Sequence, residues 1–447
     1  MINKLFIANR GEIALRIIRS CQQLGIETVL GVSVADQHST PAKLADSTVL
    51  LGPAPAADSY LNIDRVIAAA RQSGADALHP GYGFLSEKTG LAEACAANGI
   101  VFVGPAPAHL LAVGDKLRAR HAATEAGLPL VPGAAISTAV DAEALARSIG
   151  LPVLLKAVGG GGGRGMKVVR KLDELAALVT LAGAEAKAAF ADARLYMERY
   201  VENGRHIEVQ VLGDGVDVIH LGTRDCSVQR RYQKLIEEAP APVLKPELRA
   251  AIEQAAVAFA RHLQYRSAGT VEFLYDCDRE AFYFLEMNAR IQVEHPVTEM
   301  ICGVDLIAQQ IRIAEGRPLG FRQQEVLQRG HSIECRLNAE DPANDFMPSP
   351  GVVTEAVFPS GPGVRVDTHI EAGSVVPPNY DSLLAKLIVH GSDRADAVQK
   401  MQQALARCHI NGIVTNIGLL QRLLVEPAFV QGGATTALLP AMLAKGV

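Results

Sequence analysis

No run of apolar residues in this chain approaches the length that spans a membrane. No block of Lys and Arg stands anywhere in it, and the formal net charge is -5. Neither feature suggests nucleic acid as a partner. No two of the seven cysteines form a CxxC pair: Cys21, Cys95, Cys226, Cys277, Cys302, Cys335 and Cys408 are scattered and odd in number. That argues against a disulfide frame or a zinc site and fits a reduced, cytoplasmic setting. The opening "MINKLFIANRGE" does not read as a signal peptide, because Arg10 and Glu12 interrupt any apolar stretch. Internal repeats and low-complexity tracts are missing too. What is present is ordinary globular material, 447 residues at 49% apolar and 20% charged. That is enough for about three domains at ~150 residues each.

The first stretch reads as βαβ. "KLFIAN" is a short strand, "GEIALRIIRSCQQLG" has helical apolar spacing with a Gly25 stop, and "ETVLGVSVAD" is a second strand. "ADALHP" and "IVFVGP" add strands, so a parallel sheet is expected, with loops at its C-terminal edge. The texture changes near residue 130. Short strands "PVLLKA" and "MKVVR" flank a glycine run, followed by the helical "LDELAALVTLAGAEAKAAF". Strands dominate from about residue 201, and the remainder mixes helices with strands.

Five consecutive glycines lie between Lys156 and Arg164. Such a run is costly to order, but it lets backbone N–H groups approach an anion closely. A flexible hairpin tip explains the glycines equally well. The dinucleotide fingerprint fails, because a strand rather than a helix follows, and a Walker loop fails for want of GK[ST]. What remains is a glycine-rich hairpin able to fold over phosphates, with Lys156 aimed at the same anion.

In "FYFLEMNARIQVEHPVTE", Glu286, Asn288, Arg290, Gln292 and Glu294 alternate with apolar residues. An extended chain would put all five on one face. The preceding strand "TVEFLYD" would bring Glu272 opposite Glu286 through a turn near Asp278. Two carboxylates and an amide oxygen suit Mg²⁺ or Mn²⁺ bound to substrate phosphates. "RHIEVQVL" repeats the alternation with His206, Glu208 and Gln210. "RDCSVQRRYQKLIEEAP" gathers Arg224, Arg230, Arg231 and Lys234 with Gln229 and Gln233. It reads either as an exposed basic loop, neutralised by Glu237 and Glu238, or as a seat for an anionic substrate.

Taken with "IANRGEIALRIIR", "HPGYGFLSE", "KAVGGGGGRGM" and "ECRLNAEDP", these stretches resemble the biotin carboxylases, which are ATP-grasp enzymes. The resemblance covers essentially the whole chain, with six motifs in order. It implies an α/β and α+β protein: an N-terminal Rossmann-like preATP-grasp domain over residues 1–114, a linker and mobile lid over 115–200, and a C-terminal mixed sheet domain over 201–447. It also implies that ATP and bicarbonate form carboxyphosphate, whose CO₂ passes to N1 of biotin on a separate carrier protein. Carried over by position, Lys116, Lys156, His206, Gln229 and Tyr232 would hold the nucleotide, and Gly162 and Gly163 would cover its phosphates. Glu198, Arg199, Tyr200 and Val201 would meet adenine. Glu272, Glu286 and Asn288 would bind the metal ions. Lys234, Arg290, Gln292 and Val293 would hold bicarbonate, and Glu294 would deprotonate it. Arg336 would stabilise the biotin enolate, with Tyr82 near the biotin ring.

Several positions depart from the family pattern. Tyr232 replaces the His of RRHQK, Thr223 a Glu before RDC, and Arg199 a Lys. At the family's dimer contact Gln23 replaces an acidic residue and Pro362 an aromatic one, while Arg19 and Arg365 are kept. A homodimer is expected. With no Met-Lys-Met biotin acceptor in "AMLAKGV" or before it, separate carrier and carboxyltransferase subunits are expected as well. Acetyl-CoA is the default final acceptor, in fatty acid synthesis. Two other readings stand beside this one: an ATP-grasp ligase acting on another carboxylate, and a binding subunit that regulates a partner carboxylase.

Overall fold

The structure, a computed structural model, describes residues 1–158, 166–190 and 192–445. Gly162 and Gly163 lie outside the described residues.

The chain begins as its alternation predicts. Strands Lys4–Ile7, Glu27–Ser33, Ser47–Gly52, Ala77–His79 and Val101–Phe102 form one sheet, parallel throughout. Helix Gly11–Leu24 links the first two and ends at Gly25, whose φ of 69° is left-handed. The loop after His79 crosses the C-terminal edge of this sheet. Asn9 fixes it there by donating to the carbonyls of Pro80 and Tyr82, both at 2.7 Å. Gly81 (φ 61°) is required at that point, since a Cβ there would stand 2.8 Å from the Asn9 amide.

A four-stranded antiparallel sheet follows, in the order Gly133–Ile136, Leu195–Arg199, Val153–Ala157, Lys167–Val169. Helices Ala139–Ile149 and Leu172–Phe190 cover it around a small core of its own that includes Leu155, Leu175 and Met197.

The largest sheet has eight strands, antiparallel throughout. Their order is Ala281–Asn288, Arg266–Asp276, Gly204–Asp214, Val218–Arg230, Gln233–Ala239, His331–Asn338, Leu383–Gly391, Val364–Thr368. Ile7, Ile17 and Ile18 share a core with Leu212, Leu221, Ala268 and Ile311. The first sheet is thereby seated on the largest one. Each such side chain contributes roughly 1.5–3 kcal/mol when fully buried, so the two parts are held in fixed register.

Two expectations change. The alternating row does not continue as one strand: regular pairing ends at Asn288, and Glu294 stands at the N-cap position of helix His295–Cys302, without a side-chain capping bond; Pro296 is in the helix's first turn. Gln292 and Glu294 turn inward toward buried cations instead of standing along a face. The basic stretch is no exposed loop either. It is a hairpin whose two turn residues, Arg231 and Tyr232, both have positive φ (48° and 70°). That geometry matches the twist of a two-residue turn. Glu237 and Glu238 do not neutralise its arginines. They pair with Arg336 and with His331 and Arg394, while Asp345 takes Arg230 at 2.7 Å.

Candidate active site

Register in the large sheet lines up four charged residues on neighbouring strands: Arg224 opposite Glu208, Glu208 opposite Glu272, Glu272 opposite Glu286. The Glu272–Glu286 pair is the one the hairpin reading expects. Like charges directly opposite each other destabilise a sheet, so three carboxylates in a row need cations. Arg224, fully buried, donates to Glu208 Oε2 at 3.1 Å and also reaches Gln210, Thr270, Thr298 and Gln292. Lys234 donates to Glu208, to Glu272 Oε1 at 3.2 Å and to Glu294 Oε1 at 2.7 Å. His206 Nε2 lies 3.0 Å from Glu272 Oε2. Burial alone would lower the His206 pKa, but the two glutamates override it and raise it to about 10.

Glu286, at the open end of the row, has no ion-pair partner within 4 Å among the described residues; Lys116 and His206 act on it only from a distance. Surrounding protein and then the charge of Glu272 push its pKa up. A divalent cation between Glu272, Glu286 and the Asn288 amide would relieve this, and hard oxygen donors of this kind suit Mg²⁺ or Mn²⁺. The two carboxylates fit such an ion. Asn288 Nδ2 donates to Glu272 Oε1 at 2.7 Å and its amide oxygen accepts from Arg290 at 2.8 Å, so that oxygen would have to leave Arg290 to join them.

At the inner end Gln292 is gripped on both sides, with Oε1 accepting from Arg224 and Nε2 donating to Glu272 at 2.9 Å. Arg290 donates to Asn288 at 2.8 Å and to Glu87, on the loop after His79, at 3.0 Å. Glu294 is held between Lys234 and Arg336, the latter at 2.8 Å. Burial would raise its pKa; Lys234 and Arg336 lower it below the ordinary value despite Glu208. Glu294 is therefore an ionised acceptor at neutral pH. Arg336 is set in turn by Glu237, which accepts from its Nε at 2.5 Å. Beside Glu294 opens a cavity of about 410 Å³, lined by Tyr82, Gln233, Val293, Arg336 and His369.

A second cluster faces Glu286 from the small sheet. Lys156 pairs with Glu198, and Arg120 stands 3.7 Å from the same carboxylate. Lys116 begins a helix capped by Asp115, and its pKa is lowered by burial and by Lys156 against the pull of Glu286. The N–H groups of Arg199 and Tyr200 bond inside the protein, to Pro132 and Pro152, both at 2.9 Å. Gln229 is buried opposite Lys234. Tyr232 is exposed at the hairpin tip, and its pKa is raised by partial burial and then by the nearby Tyr200. Thr223 is turned away from this face and accepts from the Ala241 N–H at 3.1 Å, so its departure from the family bears on packing.

Reading the sequence by alternation missed Glu12, Glu87 and Lys386, gave no role to Glu208, and took Arg224 and Glu237 only as part of a basic stretch and one of its neutralising acids. A usable signal exists only for Arg224, which sits in a run where Cys226 and Val228 share its parity, as a buried strand face requires.

Paired carboxylates on a large antiparallel sheet, faced by a lysine from a small antiparallel sheet and another from the helix before it, define an ATP-grasp ligase. Family models agree in order along the chain. "Biotin carboxylase, N-terminal domain" matches residues 1–110, "Carbamoyl-phosphate synthase L chain, ATP binding domain" 115–322, and "Biotin carboxylase C-terminal domain" 334–441. A biotin carboxylase of Nostoc sp. is 51% identical over 443 residues, covering 98% of this chain and 99% of that protein. The crystal structure of a biotin carboxylase–βγ-ATP complex from Campylobacter jejuni matches with a TM-score of 0.95 at 44% identity, covering 99% of both chains. The biotin carboxylase domain dimer of Hydrogenobacter thermophilus 2-oxoglutarate carboxylase, bound to MgADP, ADP and bicarbonate, matches with a TM-score of 0.94 at 45% identity, covering 99% of this chain and 98% of that one. The chain belongs to the biotin carboxylase family.

Proposed function

We propose that this protein spends ATP to activate bicarbonate as carboxyphosphate and carboxylates N1 of biotin on a separate carrier protein, as the biotin carboxylase subunit of a multi-subunit carboxylase. The observation that carries the reading is Glu294, ionised between Lys234 and Arg336 and next to Gln292, with the cavity at its side. In this reading Lys116, Lys156 and His206 hold phosphates, and Glu198 to Val201 border adenine. Glu272, Glu286 and Asn288 hold the metal ions, which offset phosphate charge when bound. Arg290, Gln292, Lys234 and the backbone of Val293 seat bicarbonate. Glu294 takes its proton. Arg336 stabilises the negative charge that develops on the biotin ureido oxygen, and Tyr82 lies by the ring.

The chain works as a homodimer in the cytoplasm and hands carboxybiotin to a carboxyltransferase. Acetyl-CoA, the commonest acceptor in the family, is the first acceptor to test. No helix among the described residues is long and apolar enough to cross a membrane. ATP turnover that requires bicarbonate and rises with free biotin is the expected result. Turnover that needs a different carboxylate would point to another ATP-grasp ligase, and no turnover to a binding subunit. Capture of the biotinylated partner from cells would identify the acceptor.

A further inference from the structure

Behind the cavity lies a buried contact that belongs to neither the metal row nor the anion clamp. Glu12, in the first turn of helix Gly11–Leu24, is 3% exposed. Its Oε1 accepts the Tyr82 hydroxyl, and its Oε2 stands 3.0 Å from Lys386 Nζ. Lys386 is fully buried on strand Leu383–Gly391, opposite Arg336 in register. Its ammonium donates to the Val293 carbonyl at 2.9 Å. Of the other carboxylates near it among the described residues, Asp367 is 3.9 Å away and is taken by Arg365 through two hydrogen bonds, and buried Glu334 lies beyond 4 Å. Glu12 is therefore the close counter-charge of Lys386. It joins the N-terminal sheet to the loop that carries Val293 and Glu294.

We propose that Glu12 is a positioning residue for the acceptor side of the reaction: one carboxylate oxygen orients Tyr82 at the biotin cavity while the other holds Lys386 on the Val293 carbonyl. A side chain lining the cavity and the backbone beside the catalytic base are set by a single group. This inference rests on the biotin-carboxylating reading of the site. In that reading the nucleotide lies at the far end of the row, at Lys116, Lys156 and Glu286, so the contact bears on biotin and bicarbonate and leaves ATP alone.

Steady-state kinetics with free biotin test it. The unsubstituted protein must first show bicarbonate-dependent ATP turnover stimulated by biotin; if it does not, the functional reading fails, whatever Glu12 does. Given that activity, Glu12→Gln should lower kcat/KM for biotin by about tenfold, the scale expected when a hydrogen bond to a charged group is lost. The KM for ATP should not move. Tyr82→Phe removes the same contact without leaving Lys386 unpaired, and it should give a similar loss at an unchanged melting temperature. The double variant Glu12→Gln/Tyr82→Phe should be no worse than the poorer single one. If Glu12→Gln does not fold, Glu12→Asp keeps the charge on a shorter arm and should show the same selective loss. Biotin kinetics left unchanged, losses that add in the double variant, or an ATP KM that rises as much as that for biotin would overturn the proposal.

Discussion

Bicarbonate attacks phosphorus poorly until its remaining proton is gone, so at the scale of single residues the base decides the rate. Glu294 is buried, ionised, and held at 2.7 and 2.8 Å by Lys234 and Arg336. Glu294→Gln keeps the volume and one of the two acceptor oxygens that Lys234 and Arg336 now use, but cannot take a proton. The expected result is normal ATP binding with bicarbonate-dependent turnover down by ~10²- to 10⁴-fold, the usual cost of losing a general base. Glu286→Gln should weaken metal–nucleotide binding instead, because it removes a carboxylate from the open end of the row. Near-normal turnover in Glu294→Gln would move the base elsewhere. Tyr232 is a contrasting case. It occupies a left-handed turn position and is 55% exposed, so Tyr232→His should leave the KM for ATP unchanged or lower. A collapse of activity there would mean that the nucleotide site is built around the tyrosine.

At the scale of elements, the hairpin that pairs Glu272 with Glu286 was legible because both strands and their turn lie within a short span. The same holds for helix Leu172–Phe190 and for the strands on either side of the glycine run. The bend after Asn288 was not legible. It depends on Arg224 and Lys234, which reach Gln292 and Glu294 across 68 and 60 positions. Alternation records which residues share a face of one strand, not which strand comes to lie beside it. The burial of Arg224 is a consequence of that pairing, and breaking such a buried ion pair costs about 3–5 kcal/mol.

Helix Pro246–His262 offers a test at this same scale. Burial pushes its Glu253 up to about 7, with Arg249 opposing. His220, at 3.9 Å, is itself lowered by burial and gives no full charge. The unfolded chain releases the Glu253 proton near the ordinary value, so stability falls as pH rises from about 4.5 to about 7. Glu253→Gln, which does not titrate, should match the parent in melting temperature near pH 4.5 and exceed it at pH 8. A gap that is constant with pH would show that this carboxyl is ionised throughout.

At the scale of the whole molecule, the buried charges form a path from Lys386, on the backbone beside Glu294, to the outside. Lys386 links Glu12 with Asp367, Arg365 joins Asp367 to Glu299, and Arg16 joins Glu299 to Asp305. The path ends in a groove lined by Arg16, Arg19, Gln23 and Arg365. Arg16 and Arg365 pair there with carboxylates of their own chain, Arg19 is exposed and has no ion pair among the described residues, and Gln23 supplies no charge where the family has an acid. If two copies meet at this groove, each lacks one acidic partner for the other's cations. An exposed ion pair is worth about 0.2–1 kcal/mol, and twofold symmetry counts it twice. Gln23→Glu should therefore tighten the dimer by about two- to thirtyfold in Kd, read by sedimentation equilibrium and weakened by added salt. Arg19→Glu should loosen it. If the protein is a monomer at all concentrations, or if both substitutions leave the dissociation constant unchanged, the two copies do not meet at this groove.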